Sequence, residues 1–115
     1  MAALPKEEAP EESNFKNLFM ESTVSVPTEY ALNQNHPNPF NPSTTISFDI
    51  PKSSMVHLTI YNIAGQKVVT IVNENLNAGH YAYIWNIPAD LPSGTYLYKL
   101  VTEEFSSVKQ MMLVK

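Results

Sequence analysis

The sequence has no cysteine and no arginine, and only three glycines among its 115 residues. Without cysteine, neither a disulfide framework nor a thiolate metal site can be built. Without arginine, and with 7 lysines against 11 acidic residues, there is no basic field to attract nucleic acid or an anionic membrane surface. Neither is expected as a partner. No run approaches the roughly 18–20 continuous apolar residues of a membrane-spanning helix, so no membrane insertion is expected either. Residues 1–29 also lack the basic stretch followed by an apolar core that marks a secretory signal. If the protein is exported, that signal is expected further upstream.

The net charge of −4 sits at one end. Residues 1–29 carry Glu7, Glu8, Glu11, Glu12, Glu21 and Glu29 against Lys6 and Lys16, whereas residues 30–115 balance to zero. The first stretch is acidic, broken by proline and poor in apolar area, so it reads as a disordered or partly helical linker. Phe15, Leu18 and Phe19 are spaced for one or two amphipathic turns after Ser13. These turns are either transient or a docking segment.

From Tyr30 onward the apolar residues recur with period two. Ile46, Phe48 and Ile50 alternate with Thr45, Ser47 and Asp49, and Val56, Leu58 and Ile60 alternate with His57 and Thr59. Residues 68–72 are apolar on both sides. Tyr81, Tyr83 and Trp85 form a further face, as do Tyr96, Tyr98 and Leu100, and Met111 with Leu113. A short strand near Tyr30–Asn33 makes about seven. Runs rich in Val, Ile, Thr and Tyr at roughly 10–14-residue spacing predict an all-β antiparallel sandwich or barrel over residues 30–115. The gaps are too short for crossover helices, which excludes a parallel α/β sheet. Gly65, Gly79 and Gly94 each sit where a strand begins or turns, which is a backbone role and not a phosphate cradle.

Catalysis finds no support. His36 lies in a loop, and His57 and His80 occupy strand positions opposite the core pattern. There is no Gly-x-Ser-x-Gly, no His-Glu-x-x-His and no glycine-rich phosphate loop. Asp49 and Asp90 are the only aspartates and stand far apart, so no calcium loop is formed. The chain is read as a non-enzyme without metal or cofactor. The tyrosine faces could stack on a sugar ring, but each is the more apolar face of its strand, which favours a core role.

The most distinctive segment is Pro37-Asn38-Pro39-Phe40-Asn41-Pro42. Its prolines fix φ and bias the preceding residues towards extended backbone, so a rigid, extended loop is expected outside any central strand. Phe40 is expected as an apolar plug beneath it, with Asn41 bracing the turn. Three other blocks follow in order: Val56–Val69, containing Tyr61-Asn62-Ile63-Ala64-Gly65-Gln66; Ser93-Gly94-Thr95-Tyr96; and the apolar strand from Lys109 through Met111, Met112, Leu113 and Val114 to Lys115. Together they resemble the type A C-terminal sorting domain of the type IX (Por) secretion system, a relative of the immunoglobulin-like domain of flagellar hook-cap proteins. Many relatives carry a longer Trp-Asp-Gly insertion, whereas here Trp85-Asn86-Ile87-Pro88 is followed by a short link, which favours the secretion branch.

The resemblance implies an immunoglobulin-like antiparallel β-sandwich of about seven strands, and a sorting signal that follows an upstream passenger domain. It implies export through the periplasm to the cell surface or medium, recognition by an outer-membrane translocon, and removal by a sortase-like peptidase cutting around residues 20–30. The residues implied in sorting are Pro37, Asn38, Pro39, Gly94, Tyr96, Lys109, Met112, Leu113, Val114 and Lys115. The last strand, apolar on both faces, is either clamped into the sheet or offered to a partner at its edge. The alternatives are a carbohydrate-binding module or a structural immunoglobulin-like module of a larger extracellular protein.

Overall fold

The computed structural model describes residues 26–115. The expected amphipathic turns at Phe15–Phe19, and most of the acidic linker, lie outside the described residues. Seven strands follow: β1 (Ala31–Leu32), β2 (Ser43–Ile50), β3 (Ser54–Asn62), β4 (Lys67–Leu76), β5 (Gly79–Asn86), β6 (Gly94–Val101) and β7 (Ser106–Leu113). All the strand pairings are antiparallel. One sheet has the order β1-β2-β5 and the other β4-β3-β6-β7. The expected all-β sandwich is therefore present.

Alternation along each strand decides which side chains meet between the sheets. Strand β2 buries every second residue, Thr44, Ile46, Phe48 and Ile50. The facing sheet contributes Val56, Leu58 and Ile60 from β3, Tyr96, Tyr98 and Leu100 from β6, and Met111 and Leu113 from β7. Phe48 lies between two tyrosines of β5, with ring centroids 5.5 Å from Tyr81 and 5.8 Å from Tyr83. Trp85 is buried on the same face. This aromatic set belongs to the core and forms no open stacking platform.

Strand β4 shows why residues 68–72 look apolar on both sides. Its pairing with β3 slips between Leu58 and Thr59 and again between Ile60 and Tyr61. Each extra residue reverses the inward phase, so Val72 lies opposite Leu58 and Val69 opposite Ile60. The β3–β4 turn forms around Asn62, whose Oδ1 accepts hydrogen bonds from the Ala64 and Gln66 amides at 3.0 and 2.9 Å. Gly65 completes it at φ +85°, where an L-residue is disfavoured. Gly94 also has positive φ, at +149°, while Gly79 opens β5 without that requirement.

The two ends of the sandwich differ. At one end Tyr30 stacks on Phe105 at 5.2 Å and its hydroxyl meets Ser54 Oγ at 3.0 Å. The chain therefore enters the domain there. The exposed Glu103-Glu104 turn closes the same end, with Glu104 paired to Lys52. At the opposite end lie the proline loop, the β3–β4 turn, Gly94 and Leu113.

Candidate functional site

The proline segment departs from the extended course that its prolines suggested. It bends at residues 37–39 and 41–42, and the His36-Pro37, Asn38-Pro39 and Asn41-Pro42 bonds are all cis. The reason for the bends is that the loop joins both sheets. At His36 it bridges to Thr45 of β2, with amide-to-carbonyl distances of 3.0 and 2.8 Å. Four residues later Phe40 pairs in parallel with Leu113 of β7. A straight segment following either sheet could not make both pairings.

Phe40 is the plug anticipated from the sequence. It is buried, and its ring lies 5.9 Å from Trp85. The bracing role expected of Asn41 falls instead to Asn35 and Asn38; among the described residues Asn41 makes no side-chain hydrogen bond. Asn35 Nδ2 donates to the Pro37 carbonyl at 3.1 Å and to Thr44 Oγ1 at 3.0 Å, and Thr44 Oγ1 donates to the Pro37 carbonyl at 2.9 Å. The Tyr98 hydroxyl donates to the Asn33 carbonyl at 2.7 Å and accepts from the Asn35 amide at 2.8 Å. Burial raises the Tyr98 phenol above its usual pKa, which keeps that donor protonated. Sequence reading missed this network because Thr44 and Tyr98, which complete it, lie outside the proline motif, and Tyr98 is 65 residues from Asn33.

The loop also closes part of the edge of β7. The Phe40 amide donates to the Met112 carbonyl at 2.9 Å, and the Val114 amide donates to the Phe40 carbonyl at 3.1 Å. The Met112 amide donates to Asn38 Oδ1 at 2.9 Å, and Gln34 Nε2 donates to the Gln110 carbonyl at 2.7 Å. Lys115 is held in turn, its amide donating to Ser93 Oγ at 3.0 Å and its Nζ to the Ala89 carbonyl at 2.6 Å. The outward backbone set alternates along an antiparallel strand, so it continues at Val108 and Ser106. Among the described residues no strand pairs with that half of β7. The final strand is thus clamped over residues 110–114 and open over 106–109.

Of the residues implied in sorting, Asn38, Gly94, Tyr96, Met112, Leu113, Val114 and Lys115 come together at this one end of the molecule. Thr95, between Gly94 and Tyr96, lies opposite Met112, and Tyr96 opposite Asn62. Lys109 stands further along β7, opposite Tyr98. Pro37 and Pro39 flank Asn38 in the loop, exposed to solvent. No three His, Asp or Glu side chains among the described residues gather as metal ligands would, and no described helix is long and apolar enough to cross a membrane.

Among the described residues, the organised features at this end of the antiparallel sandwich are a loop and a strand end held together by hydrogen bonds. The family of secretion system C-terminal sorting domains matches this chain over residues 35–115, well over half its length. The chain belongs to that family, the sorting domains of the Por or type IX secretion system. It is non-catalytic, and it acts as the secretion signal of a passenger protein. Membership implies that it interacts with the secretion machinery and that the protein carrying it is secreted across the outer membrane. No curated protein matches the chain.

Proposed function

We propose that the domain is recognised in the periplasm by the outer-membrane translocon through the folded sandwich and its C-terminal strand. A sortase-like peptidase then removes it by cutting in the segment around residues 20–30, leaving the passenger at the cell surface or in the medium. The observation that supports this reading most is the treatment of β7. Its last residues are apolar on both faces, yet loop residues 34–40 hold them in register instead of leaving them to fray. A strand end fixed in this way presents Met112, Val114 and Lys115 in one reproducible geometry. The open half, from Ser106 to Lys109, leaves main-chain groups for a partner strand.

The test is a fusion of the full chain behind an exported reporter in cells with a type IX system, compared with the same fusion ending after Lys109. The full fusion is expected at the surface and the shortened one in the periplasm. Equal surface delivery of the two would remove the C-terminal strand from the determinants. Carbohydrate binding is the weaker reading, because the Tyr81 and Tyr83 rings lie against Phe48 and are not free to stack on a sugar.

A further inference from the structure

Two grooves open at the end of the sandwich away from Tyr30, and Thr95 walls both. One, of about 140 Å³, lies between Asn38 and Met112, and the other, of about 250 Å³, lies between the Asn62–Ala64 turn and Pro92–Tyr96. Register explains their adjacency. Asn62 is opposite Tyr96, Thr95 is opposite Met112, and Met112 is bonded to Asn38. Segments from four parts of the chain therefore stand side by side in one row.

This row is also where apolar surface collects. The exposed large apolar side chains of the described residues are Val26, Ile63, Ile84, Val108, Met112 and Val114. Three of them stand at this end: Ile63 at 72% exposed, Met112 at 40% and Val114 at 49%. Ile84, by contrast, is isolated on the outer face of β5 among Ala82, His80 and Asn86. No lysine, aspartate, glutamate or histidine lines either groove. That lining suits no ionic ligand, and its Asn38, Asn62 and Ser93 side chains are already bonded to Met112, to the β3–β4 turn and to Lys115, which leaves a sugar few hydrogen-bonding partners. It suits an apolar side chain of a protein partner, since the centres of protein interfaces are depleted of charge and are anchored by bulky groups in pockets. The chain enters the sandwich at the opposite end, through Tyr30 on Phe105.

We propose that the Ile63–Thr95–Met112 row is the surface by which the domain docks on a protein of the secretion machinery, with an apolar side chain of that protein seated in the groove between the Asn62–Ala64 turn and Tyr96. This rests on the sorting reading above and adds to it a determinant outside the C-terminal strand, the β3–β4 turn. Docking here positions the partner across β3, β6 and β7 together, so recognition requires the folded sandwich and not the last strand alone.

The experiment uses the full chain behind the exported reporter, with Ile63→Asp and Thr95→Lys as row variants and Ile84→Asp as the control. Ile63 is on an exposed turn, so its variant leaves folding intact, which the thermal unfolding of each purified chain checks. A photo-crosslinking residue placed at 63 or at 84 reads contact directly. Surface delivery is expected to fall at least tenfold for the row variants, with accumulation in the periplasm, while Ile84→Asp is delivered normally. The crosslink at 63, but not at 84, is expected to join a component of the secretion apparatus. Normal delivery of folded Ile63→Asp and Thr95→Lys would overturn the docking surface and leave the sorting reading standing. An equal fall for Ile84→Asp would overturn it too. A wild-type dimer that Ile63→Asp converts to monomer would replace the partner with a second copy. Failure of the unaltered fusion to reach the surface would sink the sorting reading itself.

Discussion

Replacing Tyr98 with phenylalanine removes one oxygen and keeps the shape of a ring that is fully buried. That oxygen joins two points of the segment leading into the proline loop, donating to the Asn33 carbonyl at 2.7 Å and accepting from the Asn35 amide at 2.8 Å. The Asn35 amide would be left unpaired in the interior, which costs about 1–3 kcal/mol. The Asn33 carbonyl is only part-buried and adds less, so the loss should be about 2 kcal/mol. For a folded region of this size that corresponds to a fall of about 8–16 °C in Tm. Urea unfolding followed by the fluorescence of buried Trp85 measures it, with Tyr96→Phe alongside. The Tyr96 hydroxyl makes a single bond, to the Pro92 carbonyl at 2.6 Å, so its removal should cost about 1 kcal/mol. A loss below about 0.5 kcal/mol for Tyr98→Phe, or one no larger than for Tyr96→Phe, would show that the hydroxyl does not hold the loop.

Phe40→Ala should destabilise the domain by about 3–5 kcal/mol through the cavity left against Trp85, and amide exchange at Val114, bonded to the Phe40 carbonyl, should accelerate with it. Asn38→Ala should cost about 1 kcal/mol and accelerate exchange chiefly at the Met112 amide, seen by NMR. The phenols of Tyr83, Tyr96 and Tyr98 are all raised, chiefly by burial, with Glu74 and Tyr81 adding to the effect at Tyr83. A raised phenol favours folding in its neutral form. This contribution is complete below the ordinary tyrosine value of about 10 and is lost as pH climbs through the folded values. Urea midpoints measured from about pH 8 to about pH 11 should fall at the alkaline end, and Tyr98→Phe should flatten part of that fall.

Strand periodicity made most of the sandwich legible, because β2, β3, β5 and β6 each keep one inward phase from end to end. Strand β4 was legible as a strand but not in its facing, since two bulges shift its phase and nothing in Val68-Val69-Thr70-Ile71-Val72 marks them. The proline loop was recognisable by composition, and its plug by the single apolar residue within it. Its bends were not legible, because they are set by strands of both sheets, at Thr45 nearby and at Leu113 far along the chain, that the loop must reach together. The same limit explains Asn41. An asparagine beside a proline suggests a local brace, but the bonds that form run from Asn35 to Pro37 and Thr44 and from Met112, 74 residues away, to Asn38. The aromatic faces offered both a core and a stacking platform, and the position of Phe48 between Tyr81 and Tyr83 decides for the core.

The bond from Met112 to Asn38 spans 74 residues. It joins the loop before β2 to the last strand of the domain. The clamp can therefore close only after the ribosome has released both, and long-range contacts of this kind form late in folding. A molecule lacking residues 110–114 loses every bond between the proline loop and β7 and cannot assemble this end of the sandwich. The geometry thus makes this end of the sandwich depend on both ends of the domain at once.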